Sequence, residues 1–389
     1  MIYLQVLLGL SLLASWSYWI ATLIAASRWQ SDPSRVTIPD GQDFVVPALT
    51  ILKPLKGSDP LQRECFLSFF EQQYMPFQLI FGALDPNDLA LIIVRALMAE
   101  YPKVDCSIVT GGEMLGCNRK VSNFIQMLPQ AKHPTLVLCD SDMLVGPDYL
   151  WKIGQQFTDP EIGALTCPYR GSSPIGFASK LEALGIGADF IPSTFVGWYL
   201  SGMRFGFGST IAIRNDTLAK IGGFETLVDE LADDYLLMNR AAKAGCKVIY
   251  SDYMVDDALG EEKFASMFAR KLRWAKTSRA MSPGPYLGSF VTHGFVISLL
   301  FGVALYSLIS SLAVIGATLA FRIFVANFIA RKYTNDPNVG QNSLLLPVSD
   351  LFSFGLFVLS LCGNTIVWRG ERFHLGRGGR LTPVEKKNA

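Results

Sequence analysis

The run Thr135-Leu-Val-Leu-Cys-Asp140-Ser-Asp142-Met ends an apolar, β-prone stretch in two acids spaced i and i+2. Nothing in packing calls for charge there. Two carboxylates at a strand end can hold a hard divalent cation, Mg2+ or Mn2+, which would bridge the oxygens of a nucleotide diphosphate. The competing reading is an acidic turn that caps a helix near Pro147. Phe81-Gly-Ala-Leu-Asp85-Pro-Asn-Asp88 is a second strand that ends in acids. Asp85 there could accept a hydrogen bond from a nucleobase or ribose, and Asp88 could cap the next helix. Gly111-Gly112 through Gly116-Cys-Asn118-Arg119-Lys120-Val-Ser-Asn123 puts glycines, cations and amides at a loop that opens a helix. Backbone N–H groups with Lys120 suit phosphate or sugar hydroxyls, unless the loop is only a flexible connection.

Asp229-Glu230-Leu-Ala-Asp233-Asp234-Tyr235 stacks four acids ahead of a helix. Capping needs one or two, so a carboxylate here could act as general base on an acceptor hydroxyl. Arg270-Lys-Leu-Arg273-Trp274 sets two arginines at i and i+3 on one helical face. They would clamp a diphosphate leaving group, with the indole at the acceptor side, or anchor a helix at a membrane interface.

Such residues need strands to present them. Strands are expected at Leu49–Leu52, Phe77–Ala83, Asp105–Val109, Thr135–Cys139, Gly163–Cys167, Gly208–Ile213 and Lys247–Tyr250. Helices are expected between them at Gln62–Gln72, Leu89–Tyr101, Lys120–Leu128 and Tyr235–Ala244. Apolar strands alternating with helices imply an α/β domain with a mostly parallel sheet, whose ligands bind at the carboxyl ends of the strands.

The chain has 389 residues, 50% hydrophobic and 17% charged, with mean hydropathy +0.30. Disorder is excluded by this composition. A net charge of +1, from 34 basic and 33 acidic residues, gives no global field for nucleic acid. Seven scattered cysteines and three histidines form no metal-ligand spacing, so the cysteines read as reduced thiols and any metal falls to carboxylates. The surplus apolar content lies at the ends. Residues 1–27 form a charge-free segment long enough to cross a bilayer. The region 287–368 holds two or three further segments, the first two joined by a turn near Tyr306 to Ser311, followed by a basic tail over 369–389. Residues 186–203, apolar and aromatic, suit either a membrane-interface element or buried core. Arg28 and Arg35 after the first segment, and the cations of 270–279 before the second, put the middle at 45–286 in the cytoplasm. Three C-terminal crossings would place the basic tail outside, against that rule; a re-entrant last segment would return it.

In order, Asp85, Asp140/Asp142, Asp234 and Arg270/Arg273/Trp274 resemble the pattern of the processive-type inverting glycosyltransferases of GT-A fold. With Leu52-Lys-Pro-Leu-Lys-Gly57, Asp85-Pro-Asn-Asp88 and Trp368-Arg-Gly-Glu-Arg372-Phe-His-Leu-Gly-Arg-Gly-Gly379, nearly the whole chain resembles the ceramide glucosyltransferase family, including its bacterial hopanoid-associated branch. The resemblance implies a GT-A, Rossmann-like domain for nucleotide-diphospho-sugars, a UDP-sugar donor, Mg2+ or Mn2+, and a lipid hydroxyl acceptor at the cytoplasmic bilayer face. It implies that Asp85 meets the uridine, that Asp140 and Asp142 hold the metal diphosphate, and that Asp234 is the base. The Arg270, Arg273 and Trp274 segment would serve the leaving group, with Lys53 and Lys120 as further donor contacts. The product would be a β-glycosyl lipid, with glucose favoured and a bacterial inner membrane as the setting.

Asp189-Phe-Ile-Pro192 stands about where the animal ceramide enzymes carry a His-Pro pair, and the metal motif has two acids where theirs has one. Leu231-Ala-Asp-Asp-Tyr235 reads more like the hopanoid branch, which leaves an N-acetylglucosaminyltransferase acting on a hopanoid polyol as the alternative. A processive polysaccharide synthase and a non-catalytic nucleotide-sugar binder are the remaining readings, and the few membrane segments argue against a synthase with a translocation pore.

Overall fold

The computed structural model describes residues 2–37, 45–59, 61–368 and 370–384. The chain divides into a terminal unit (1–31, 170–200 and 261–389) and a central unit (32–169 and 201–260). The continuous domain expected over 45–286 is therefore interrupted. Charge supplies a reason: Glu182 and Asp189, from the middle of the sequence, pair with Arg270 and Arg322 of the terminal unit.

The terminal unit opens with α1 (Ile2–Gln30). The central unit then runs β1 (Leu49–Pro54), α2 (Gln62–Phe70), β2 (Phe77–Ala83), α3 (Ala90–Glu100), β3 (Cys106–Thr110), α4 (Arg119–Met127), β4 (Thr135–Leu138), β5 (Met143–Leu144), α5 (Tyr149–Gln156) and β6 (Ile162–Thr166). The next elements are β7 (Tyr169–Ser172), α6 (Gly176–Leu184), a π-helical stretch at Gly185–Phe190 and α7 (Ile191–Ser201). The central unit resumes with β8 (Ile211–Arg214), α8 (Asn215–Lys220), α9 (Asp233–Lys243), β9 (Lys247–Tyr250) and β10 (Val255–Ala258). Each expected strand and helix is present, with ends moved by no more than three residues and β2 and β9 unmoved.

Seven strands form one sheet in the order β3-β2-β1-β4-β8-β6-β9. Strand β1 pairs parallel with both β2 and β4, whereas β8 is antiparallel to β4 and β6. Strands β2, β4 and β6 are buried at every residue because both faces of such a sheet are covered, whereas the edge strand β3 is half-buried. Leu49, Ile51, Leu79, Phe81, Val137 and Ile249 belong to one core cluster, each fully buried. Burying such side chains contributes about 1.5–3 kcal/mol apiece. The chain order reverses between β1 and β4, the position where ligands of open α/β sheets bind, and the loops after β1, β2, β3 and β4 leave by the same edge.

The rest of the terminal unit is α10 (Phe264–Met281), α11 (Pro283–Gly288), α12 (Gly294–Ala304), α13 (Leu308–Ile329), α14 (Pro337–Gln341) and α15 (Leu346–Ser360). Ile2–Gln30, Leu308–Thr334 and Ser343–Ser360 are long and apolar enough to cross a membrane. Pro283–Thr292 and Gly294–Ala304 make a fourth if counted as one span bent by 61°. The turn between α12 and α13 falls at 305–307, with Tyr306 at φ 54°. Residues 186–203 fold largely as α7, where Phe195 packs on Trp29 at 4.6 Å. Arg322 of α13, 3% exposed, is held by Asp350 of α15 at 2.9 Å, by Asp189, and by the Ala188 carbonyl at 3.0 Å.

After α15 the chain forms a three-stranded antiparallel sheet, β11 (Thr365–Trp368), β12 (Glu371–Leu375) and β13 (Leu381–Pro383). Of this sheet, β11 was expected inside the membrane region 287–368 and the rest as a basic tail over 369–389, of which Arg369 and 385–389 lie outside the described residues. All seven cysteines are free.

Candidate active site

Asp140 and Asp142 follow β4 at the edge where the sheet order reverses. Behind them Lys53, on β1, is fully buried, with Nζ 3.6 Å above the Phe69 ring and donating to the Asp140 carbonyl at 2.8 Å. Lys53 was expected as a donor contact. In this structure its ammonium group ties the turn after β4 to β1. Ser141 donates to Asp59 at 2.6 Å, so the side chain between the two acids turns aside from them.

Antiparallel pairing brings the start of β8 beside the end of β4, and with it the preceding glycine-rich loop. Gly208 accepts a hydrogen bond from the Asp140 N–H at 3.0 Å, and its own N–H donates to Asp234 Oδ2 at 3.0 Å. One residue's backbone thus sets Asp140 relative to Asp234. A Cβ at this position would lie 2.2 Å from Asp140 Oδ2 and 2.9 Å from Lys120 Nζ, so any larger residue would push the paired Asp140 and Lys120 side chains aside. Asp234 lies in the first turn of α9, where the helix N-terminus favours negative charge, and its Oδ1 accepts from the Tyr235 N–H at 2.7 Å.

The 111–123 loop is fastened to the acid-rich segment. Asn118 caps α4 by accepting from the Val121 N–H at 3.1 Å, which contributes about 1 kcal/mol to such a helix. Its amide donates to the Glu230 carbonyl at 2.8 Å and to Asp233 Oδ1 at 3.1 Å. Cys117 N–H donates to Asp229 at 3.1 Å. This places Lys120 between carboxylates, with Nζ 2.6 Å from Asp140 Oδ1 and 3.9 Å from Asp233 Oδ2. Burial opposes its charge, but Asp140, Asp233 and Asp234 more than offset that and hold the ammonium well above its ordinary pKa.

Burial pushes the Asp234 carboxyl up to about 6; Asp233 adds to the rise and Lys120 opposes it. Burial, then Asp140 and Asp59, push Asp142 up to about 7. Asp142 Oδ1 is buried without a hydrogen-bond partner. Among the described residues no group of three or more His, Cys, Asp and Glu side chains could hold a metal. Two carboxylates nevertheless suit Mg2+ or Mn2+ where substrate phosphates and water supply the other ligands. An orphaned buried oxygen on Asp142, next to Asp140 and with its proton held too tightly for a free carboxylate, is chemistry that a hard cation would satisfy.

Asp85, after β2, is exposed, with Oδ1 accepting from the Asn87 N–H at 2.9 Å in a tight turn. Asp88 is the buried member of that pair. It accepts from the Gly57 N–H at 2.9 Å and the Ala90 N–H at 3.0 Å, joining the loop after β1 to α3.

Arg270, Arg273 and Trp274 lie on α10 in the terminal unit. The bidentate fork of Arg270, expected to be available to a diphosphate, is taken by Glu262 at 2.6 and 2.5 Å, and Glu182 pairs with the same guanidinium. Arg273 sits over Trp368, 5.7 Å from its ring, and Trp274 is exposed. The central unit therefore brings Lys53, Lys120, Asp140, Asp142 and Asp234 together. Sequence reasoning gave no role to Gly208, Asn118 or Asp233. The last two stood inside quoted motifs, but only the fold shows that one bonds the other.

The family model described as Glycosyl transferase family 21 matches residues 9–381. Ceramide glucosyltransferase 1 of Caenorhabditis elegans is 27% identical over 349 residues, 87% of this chain and 74% of that protein. Ceramide glucosyltransferase 3 of the same organism is 27% identical over 357 residues, 88% of this chain and 76% of that protein. A mannosyltransferase from Pyrobaculum calidifontis, solved with GDP-Man and Mn2+, superposes with TM-score 0.53 at 20% identity, over 92% of this chain and 99% of that one. At that identity the likeness is one of fold, and it is the GT-A likeness that the sequence pattern implied.

Proposed function

The chain belongs to glycosyl transferase family 21 and is a glycosyltransferase; from that premise we propose that it is an inverting membrane enzyme, moving a hexose, with glucose favoured, from a UDP-sugar to the hydroxyl of a ceramide-type lipid. The observation that carries this reading is the link from Asp140, beside Asp142, to Asp234 through the Gly208 backbone. One pair suits a metal diphosphate, and the third carboxylate is poised near neutral pH for proton transfer.

Asp140 and Asp142 would hold Mg2+ or Mn2+, which when bound supplies charge compensation for the diphosphate leaving group. Asp234 takes the proton of the acceptor hydroxyl as the oxygen attacks the anomeric carbon. The bond to the diphosphate breaks on the opposite face, which inverts the centre. Lys120 pairs with Asp140 and fixes its side chain, and Gly208 keeps the base in register with it. Asp85, for the uridine, and Arg273 with Trp274, for the leaving group, enter from the family pattern alone. The acceptor class rests on the curated relatives, both named ceramide glucosyltransferases. The positive charge at the end of α1 and just after it, on Arg28 and Arg35, favours a cytoplasmic central unit, and the bacterial branch of the resemblance favours an inner membrane.

The test is purified protein in lipid with Mn2+, a panel of UDP-sugars, and ceramide, a hopanoid polyol or neither as acceptor, with products identified by mass spectrometry. Hexosyl ceramide is expected. Transfer to the hopanoid alone would overturn the acceptor, and no transfer from any UDP-sugar would overturn the activity.

A further inference from the structure

The apolar helix α15 and the helices around it fix how often the chain crosses the bilayer. Helices α1 and α13 run side by side in the same direction. Gln5 Nε2 donates to the Ala304 carbonyl at 2.6 Å just before α13, Trp16 donates to Thr318 at 3.3 Å, and Trp19 meets Phe321 at 5.7 Å. Helix α12 runs the other way. A Cβ on Gly294 would lie 2.8 Å from Trp19, whereas one on Gly9 would lie 3.5 Å from Phe301. The bent pair 283–304 therefore leads from α10 past the depth of Trp19 to the depth of Gln5, and α13 returns. Those two passes make a hairpin.

Helix α15 does not continue the pattern. Its first residue, Leu346, packs with Ala326 and Ala330 near the end of α13, on the α10 side. Asp350 reaches in to Arg322, at the depth of Trp19. From there the helix moves back: Phe354 meets His293 at 5.4 Å, Phe357 stacks on Tyr286 at 5.4 Å, and Ser360 shares a hydrogen bond with Tyr286 at 2.7 Å. Directly after it, Arg279 and Lys276 of α10 donate to the carbonyls of Gly363 at 3.0 Å and Thr365 at 3.1 Å. Both ends of α15 thus lie on the α10 side, although its length alone would allow a crossing.

Its surface is also inverted relative to a helix that faces water. Ser349, Asp350 and Ser360 are buried beside Leu346, Leu356 and Phe357, while Val348, Leu351, Val358 and Leu359, with Leu344 just before the helix, are exposed. Apolar outward and polar inward is the arrangement that lipid selects. The exposed face continues that of α13, where Ile309, Leu312 and Phe324 are uncovered.

We infer that α15 is seated in the leaflet on the α10 side, with acyl chains covering its exposed stripe, and does not cross. The chain between α10 and the C-terminal sheet then crosses twice. Arg372, Arg377 and Arg380, all exposed, stand on the same side as the cations of α10, facing lipid headgroups, as the positive-inside rule requires. This conflicts with the three-crossing arrangement that length and hydropathy allow.

Cys362, exposed just past α15, is a native reporter, and Ile309→Cys, at an 83% exposed site beside the α12–α13 turn, is a second. Full-length Ile309→Cys protein in bacterial spheroplasts is treated with a membrane-impermeant maleimide before and after lysis. Each site's peptide is read by mass spectrometry. The expected result is labelling of position 309 in intact spheroplasts and of Cys362 only after lysis. Opposite faces in either orientation support a non-crossing α15. Labelling of both sites before lysis, or of neither until lysis, puts them on one face and overturns the inference.

Discussion

Asp142→Asn separates the metal reading from a purely structural one, because the two give opposite signs. The carboxyl rises from 3.8 to about 7 on folding, chiefly through burial and then through Asp140. A carboxyl raised in the folded state binds its proton more tightly there than in the unfolded chain. Folding is therefore favoured less as pH climbs from about 4 to about 7, and the penalty is full above 7. At about 1.4 kcal/mol per tenfold, the ceiling is ~4 kcal/mol, and the side of Asp142 open to water reduces this to about 2 kcal/mol. In EDTA at pH 8 the neutral amide removes that penalty and raises the unfolding midpoint by roughly 3–5 °C. At pH 5 the gain shrinks by more than half. Mn2+ with UDP at 100-fold above its dissociation constant would stabilise the wild type by about 2.7 kcal/mol, and this increment is expected to vanish in the variant. Differential scanning fluorimetry of detergent-solubilised protein reads all three conditions. A midpoint lowered in EDTA at pH 8, or an Mn2+ increment that survives the substitution, would refute the reasoning.

Asp234→Asn is expected to lower kcat by about 10²–10⁴-fold while UDP affinity, measured by calorimetry, stays within twofold. Because the base must be ionised, the wild-type rate rises with pH through about 6 and levels above it, and loss of that limb in the variant checks the assignment. Gly208→Ala puts a methyl group 2.2 Å from the present position of Asp140 Oδ2 and displaces that carboxylate, so transfer should fall by about 10²-fold while secondary structure by circular dichroism is retained. Arg322→Leu leaves Asp350 buried without its cation and should cost about 3–5 kcal/mol in thermal unfolding; adding Asp350→Leu should recover most of the loss.

The strands were legible because β-branched and aliphatic runs such as Leu49–Leu52 and Thr135–Leu138 sit between clear helix signals, and a sheet buried on both faces leaves no other use for them. The acids at the ends of β2 and β4 were legible for the same reason, since charge at the end of a buried strand has no packing role. The burial of Lys53 against Phe69 was not legible, because sequence shows a cation near a strand end and not which way it points. Gly208 could not be found from sequence, as its use depends on β8 lying antiparallel beside β4. The C-terminal sheet was hidden by its charge. Ile366, Phe373, Leu375 and Leu381 are its buried residues, but the arginines between them read as a solvated tail. Arg270 looked like a diphosphate clamp because sequence does not show that Glu262, eight residues earlier, and Glu182, 88 residues earlier, both turn to its guanidinium.

The most direct test of the account is the anomeric configuration of the product. Purified protein is given an α-linked UDP-glucose donor, ceramide in lipid and Mn2+, and the isolated glycolipid is read by proton NMR. The account requires a β-glucoside, with formation abolished by EDTA and by Asp234→Asn. An α-glucoside, or undiminished β-product from Asp234→Asn, would contradict it.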